Sequence, residues 1–194
     1  MSNIEPKRYG IAAPEGALTG EPRLYVCPVA TLAESAARVQ ARSLITLINA
    51  QMMAELQTPK TISPDRHLRL VMNDIVEPRD DMILPNEGHV QALLDFVARW
   101  PQDGPLLINC RAGRSRSAAA AYIAVCALNP QADERAVAAL LRQASTAATP
   151  NRLLIEIADD VMNRGGRMAD AINAIGEGGP ADGRLFSLPA RLTV

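Results

Sequence analysis

Residues Leu106-Leu107-Ile108-Asn109-Cys110-Arg111-Ala112-Gly113-Arg114-Ser115-Arg116-Ser117 decide how this chain is read. An apolar run, 105–109, has the length and residue types of a buried strand. The alanine-rich stretch 114–129 that follows is a strong helix former. Between them a short loop runs from Cys110 to Arg116. A loop that joins a strand to a helix turns successive backbone N–H groups into one concavity, and the helix N-terminus adds the positive end of its dipole. The natural occupant is an anion such as phosphate. Gly113 allows the tight turn. Ala112 and Ser115 contribute backbone to the cradle, and Arg116 is placed to fold back and grip two phosphate oxygens with its planar fork. Cys110 stands where a thiolate is stabilised, at a helix N-terminus among cations. Ser117 is in reach to donate a hydrogen bond to that sulfur. Arg111, Arg114 and Arg116 lie within six residues beside a thiol and repel one another unless an anion is present.

Outward from this loop, strand and helix signals alternate. Residues 23–29 and 43–49 read as buried strands and 67–73 as a third. Thr31 reads as the cap of a helix that runs to about Arg42. Residues 50–66 are mixed, with Pro59 and Pro64 marking loop. A Pro-containing loop over 74–88 leads into an amphipathic helix at 87–100, where Val90, Leu93, Leu94 and Val97 recur at helical spacing. Further helices are predicted near 132–144, 150–164 (capped by Thr149 and Pro150) and 167–175. Strands early and helices late give an α/β class: a small, mostly parallel central sheet flanked by helices, with a helical C-terminal half. The expected organisation is a loose lead-in over 1–22, a single domain over 23–176 and an extended tail over 177–194.

Composition narrows the function. The chain has 194 residues and 48% hydrophobic content, enough for an ordinary core. Its 20 Lys+Arg and 21 Asp+Glu leave a formal charge of −1, and aromatics are 3%, which argues against nucleic-acid binding. No apolar run is long enough for a membrane span, and MSNIEPKRYG does not read as a signal peptide. Three cysteines without zinc-ligand spacing fit a reducing, cytoplasmic setting. No cofactor or metal is expected. Cys27 and Cys126 read as small core residues, as do Met52, Met53 and Met72. His67 and His89 form no catalytic or ligand set, and Asp159 with Asp160 reads as a solvated helix face.

The segment CRAGRSRS resembles the C-x-x-G-x-x-R-[ST] signature of the protein tyrosine and dual-specificity phosphatases. Similar segments in small bacterial phosphatases of that superfamily stand here as His67–Leu70, Asp74-Ile75, Pro78, His89-Val90, Phe96-Val97, Trp100 and Thr149–Arg152. The resemblance implies a dual-specificity-phosphatase-like fold and a metal-free, two-step hydrolysis of phosphomonoesters through a phosphocysteine. It makes Cys110 the nucleophile, Arg116 the phosphate clamp and Ser117 the leaving-thiolate partner, with Arg111, Ala112, Gly113, Arg114 and Ser115 at the substrate. Asp74 directly follows the third predicted strand and matches the family's general acid; Asp80 and Asp81 in the same loop are the alternatives. A phosphorylated protein is the implied substrate. Two departures open other readings. Asn109 stands where the family has His, which admits a phosphate-binding module with little catalysis. Basic residues at both 111 and 114 admit a phospholipid or inositol phosphate phosphatase. Some relatives shield the nucleophile in a disulfide with a second cysteine, a role that would fall to Cys27.

Overall fold

The computed structural model describes residues 21–192. The lead-in expected over 1–22 therefore falls almost wholly outside the described residues. Five strands form one sheet: β1 (Arg23–Pro28), β2 (Ser43–Ile48), β3 (His67–Val71), β4 (Leu106–Cys110) and β5 (Phe186–Pro189). Their order is β3-β2-β4-β1-β5. β3, β2, β4 and β1 run parallel, and β5 is antiparallel to β1. All residues of β2 and β4 are buried, because helices cover both faces. That is why these strands read as mostly apolar runs without alternation, whereas β3 at the sheet edge is only partly buried.

Among the described residues seven α-helices complete the fold: α1 (Leu32–Val39), α2 (Ala50–Glu55), α3 (Glu87–Arg99), α4 (Arg116–Leu128), α5 (Glu134–Ala144), α6 (Arg152–Val161) and α7 (Arg167–Ile175). α1 covers one sheet face, where Leu32 and Ala36 pack on Tyr25, Cys27, Leu44 and Leu107. The other face carries the larger core. Leu24, Val26, Ile45, Leu47, Ile108 and Cys110 pack there with residues of the later helices. α4 lies at its centre and is buried from Arg116 through Cys126. A helix buried all round must be apolar all round, and its run of alanines lets neighbouring elements approach closely.

The elements differ from the sequence expectations in five places. α1 stops at Val39 because Gln40 takes a left-handed φ of 53°, and Thr31 donates its hydroxyl to the Pro28 carbonyl at 3.3 Å rather than capping the helix. Within 50–66, where the sequence predicts no element, Asn49 accepts the Met52 N–H at 3.0 Å and starts α2. The cap of α6 is Asn151, not Thr149. The tail over 177–194 is not simply extended: Phe186–Pro189 joins the sheet as β5, and Arg23 donates to Ser187 Oγ at 2.9 Å. Asp159 is not on a solvated face. It is 2% exposed and accepts N–H bonds from Met168 at 2.6 Å and Ala169 at 3.4 Å, satisfying the start of α7.

Candidate active site

β4 sits between β1 and β2, and Cys110 is its last residue. The thiol therefore emerges at the carboxyl edge of a parallel sheet, where α/β folds place their chemistry. The loop then crosses the end of β1. Gly113 has φ 70°, and a Cβ on it would lie 2.7 Å from the Pro28 nitrogen and 2.8 Å from the Cys27 carbonyl carbon. Both obstacles are backbone, so neither can swing aside. Gly113→Ala should destabilise the protein by about 2–3 kcal/mol, combining a left-handed alanine with a backbone clash. Denaturant unfolding measures it; a loss below the error of extrapolation would mean that the loop relaxes freely.

α4 opens at Arg116. Ser115 holds the N-cap position without a capping bond, so its side chain leaves the first-turn N–H groups of the helix uncapped. Ser115 Oγ instead donates to Asp74 Oδ1 at 2.7 Å. Asn151 Nδ2 donates to the same oxygen at 2.9 Å. The other carboxylate oxygen, Oδ2, stands 3.8 Å from Arg116 Nε. Arg116 is 5% exposed and donates from Nη1 to the Met72 carbonyl at 2.7 Å. Its Nε is buried and has no hydrogen-bond partner. Cys110 Sγ and Ser117 Oγ lie 3.0 Å apart.

All three acids are exposed, but Asp74 is bonded to the loop through Ser115, while Asp81 adopts a φ of 59°. The two flanking arginines diverge. Arg111 is exposed. Arg114 is half-buried and donates to Thr149 Oγ1 at 2.7 Å, while the Thr149 N–H returns a bond to the Arg114 carbonyl at 2.9 Å.

No protein-family model matches the chain, and no curated protein matches it. Solved structures do. DUSP28 from human is 20% identical, with a TM-score of 0.52 over 73% of this chain and 88% of that one. PTPMT1 in complex with PI(5)P is 15% identical, with a TM-score of 0.54 over 80% and 94%. The human tyrosine phosphatase-like serine/threonine/tyrosine-interacting protein is 17% identical, with a TM-score of 0.54 over 73% and 91%. The chain has the dual-specificity phosphatase fold.

Within this phosphatase fold the second cysteine is badly placed to guard the first. Cys27 pairs in register with Asn109, and Pro28 with Cys110. Side chains alternate along a strand, so Cys27 faces the α1 side while Cys110 faces the α4 side. Burial pushes the Cys27 thiol up to about 12, which keeps it protonated and unreactive. Cys126 is pushed up to about 12 for the same reason.

The residue before Cys110 is wired to a histidine after all. Asn109 is fully buried and accepts the Thr46 hydroxyl at 2.7 Å. Thr46 meets His67 Nε2 at 2.9 Å, and Thr58 meets His67 Nδ1 at 2.7 Å. Because Thr46 donates to Asn109, it accepts from Nε2, so in the neutral ring the proton sits on Nε2 and Nδ1 accepts from Thr58. Burial, then Arg69, lowers His67 from 6.5 to about 4. The unfolded chain therefore binds a proton in that window that the folded chain refuses, and stability falls as pH drops from 6.5 toward about 4. His89, also lowered by burial, adds a slope of the same sign. His67→Gln should flatten the stability profile over this window; an unchanged slope in denaturant titrations would remove His67 from the account.

Sequence reasoning missed three contributors: Asn151, Thr149 and the Met72 carbonyl. The T-P-N-R run carried the first two, but only the fold folds it back onto the loop.

Proposed function

We propose that this chain is a phosphomonoester hydrolase of the protein-tyrosine-phosphatase type. It acts on phosphotyrosine or mixed phosphoprotein substrates in a reducing, cytoplasmic setting, and 23–176 carry the activity. The observation that supports it best is the buried Nε–H of Arg116, left without a hydrogen-bond partner at the start of the helix that follows Cys110. A buried donor without an acceptor costs about 1–3 kcal/mol, and a bound phosphoryl oxygen removes that cost. In the first step the Cys110 thiolate forms a bond to phosphorus as the bond to the leaving oxygen breaks. Arg116 and the loop amides neutralise the equatorial oxygens. Asp74 delivers its proton to the departing alcohol or phenol. In the second step Asp74 takes a proton from water, the hydroxide adds to phosphorus, and the thiolate leaves with the Ser117 hydroxyl donating to it. Atoms and charge balance without metal or cofactor.

Three free cysteines fit the compartment. Among the described residues no helix is long and apolar enough to cross a membrane. The test is turnover of a small aryl phosphate by wild type, Asp74→Ala and Asp80→Ala. Asp74→Ala should lower turnover about 10²–10⁴-fold, the usual contribution of a positioned acid. If Asp80→Ala does so instead, the acid is misassigned. Phosphopeptide binding without any hydrolysis would favour the binding-module reading.

A phospholipid substrate is the second reading. Val76, Met82 and Ile83, on the loop that begins at Asp74, are exposed at 52%, 44% and 41%, and Arg111 is exposed nearby in sequence to the nucleophile. PTPMT1, solved with PI(5)P, shares the fold. Turnover of phosphoinositide vesicles far above that of phosphopeptides would decide for it.

A further inference from the structure

Asp74 is bonded from one side by an amide that no chemical step has used. Asn151 is 5% exposed. Its Oδ1 accepts the Leu154 N–H at 3.1 Å and so caps α6. Its Nδ2 donates to Asp74 Oδ1 at 2.9 Å and to the Ile75 carbonyl at 3.3 Å. Its own N–H donates to the Ser115 carbonyl at 3.4 Å. One buried side chain with its backbone therefore joins the acid segment, the phosphate loop and a helix start. The neck of the acid loop is closed separately: the Asn73 N–H donates to the Ile83 carbonyl at 2.8 Å, and Asn73 Oδ1 accepts the Ile83 N–H at 2.9 Å. Held at the neck alone, Asp74 would still rotate about its own side-chain bonds.

We propose that Asn151 is a positioning residue that fixes which oxygen of Asp74 performs the proton transfer. This rests on the hydrolase reading above. Oδ1 already accepts from both Ser115 and Asn151. A proton on Oδ1 would face two donors and displace one of them. The transferable proton therefore belongs on Oδ2, the oxygen turned toward Arg116 Nε and hence toward the bound phosphoryl group. Small misplacements of a reacting group are costly, so an amide that stops the carboxyl from flipping contributes to rate without touching substrate.

The helix cap and the positioning bond can be separated. Asn151→Ser keeps a capping oxygen but is too short to reach Asp74. Asn151→Asp keeps a strong cap and sets a second carboxylate against the first. Turnover is read on two esters, phenyl phosphate, whose leaving group needs a proton, and dinitrophenyl phosphate, whose leaving group does not. Because a positioned acid contributes about 10²–10⁴-fold, Asn151→Ser should lower phenyl phosphate turnover about tenfold or more, and dinitrophenyl phosphate turnover less than about threefold. Adding Asn151→Ser to Asp74→Ala should cost almost nothing further. In Asn151→Asp, the neighbouring charge holds a proton on the pair, and the alkaline limb of the rate profile moves to higher pH. Equal losses on both esters, or full additivity with Asp74→Ala, would overturn the positioning role. If Asn151→Ser does not fold, Asn151→Asp decides by the same ester pair. Wild type inactive on both esters would overturn the hydrolase reading and the positioning role with it.

Discussion

Cys110→Ser should abolish phosphate-ester turnover, by about 10⁴-fold or more, and leave the fold and the binding of inorganic phosphate in place. The side chain is 1% exposed and loses only the difference between sulfur and oxygen, in a site where Ser117 Oγ is 3.0 Å from Sγ and can bond either atom. Stability should change by no more than about 1 kcal/mol. Turnover is a different matter. A serine nucleophile requires a base within hydrogen-bond reach, and none of the hydrogen bonds at Cys110 involves one. His67 is engaged with Thr46 and Thr58, and Thr46 pairs with Asn109, whose side chain points to the sheet face opposite Cys110. Neither remaining thiol can substitute, since burial pushes both Cys27 and Cys126 up to about 12. The check is aryl phosphate turnover together with a thermal shift on adding phosphate. Wild-type turnover in Cys110→Ser would place the nucleophile elsewhere. Turnover and anion binding lost together, with the fold intact, would mean that the sulfur holds the loop rather than attacks.

What could be read from the chain alone follows from how each feature is encoded. β2 and β4 are buried on both faces, so their sequences are short, mostly apolar runs without alternation. The loop from Cys110 to Arg116 is local, and a position where a Cβ would lie 2.7 Å from the Pro28 nitrogen leaves its mark in sequence as a glycine. Features made by distant partners leave no such mark. β5 is four residues long and exists because β1 offers an unpaired edge. α2 has six residues and no apolar repeat; the Asn49 cap starts it. Asp159 resembles any charged helix residue until α7 turns back and presents its N–H groups. Asn151 is legible as a cap, but its bond to Asp74 spans 77 positions. The adjacency of Asp74 to the loop was a matter of strand order, and parallel β3 and β4 on either side of β2 supply it.

Arg116→Lys should lower turnover about 10²–10³-fold, the cost of one lost donor to the transition state, while the protein remains folded. The guanidinium performs two tasks at once. Nη1 is tied to the Met72 carbonyl at 2.7 Å, which fixes the plane of the group, and Nε is left buried and unpartnered beside Asp74. An ammonium is a point donor on a flexible stem and cannot both hold that carbonyl and present a second N–H in a set direction. The substitution therefore separates charge from geometry, because the charge remains. Adding phosphate should raise the melting temperature of wild type, by the linkage of a ligand that binds only the folded state. It should raise that of Arg116→Lys much less. Arg116→Met carries the same point to stability. It removes a 5% exposed cation with an unmet donor. Replacing a buried ion pair by apolar side chains is often neutral or stabilising, whereas stranding one buried partner is costly; the partner here, Asp74, is 37% exposed and keeps its solvent. Without phosphate, Arg116→Met should stay within about 1 kcal/mol of wild type in denaturant unfolding. A large destabilisation would mean that Arg116 is kept for the fold, through Met72 and Asp74, rather than for an anion. Full activity and an undiminished phosphate shift in Arg116→Lys would remove the unpartnered Nε–H from the catalytic account.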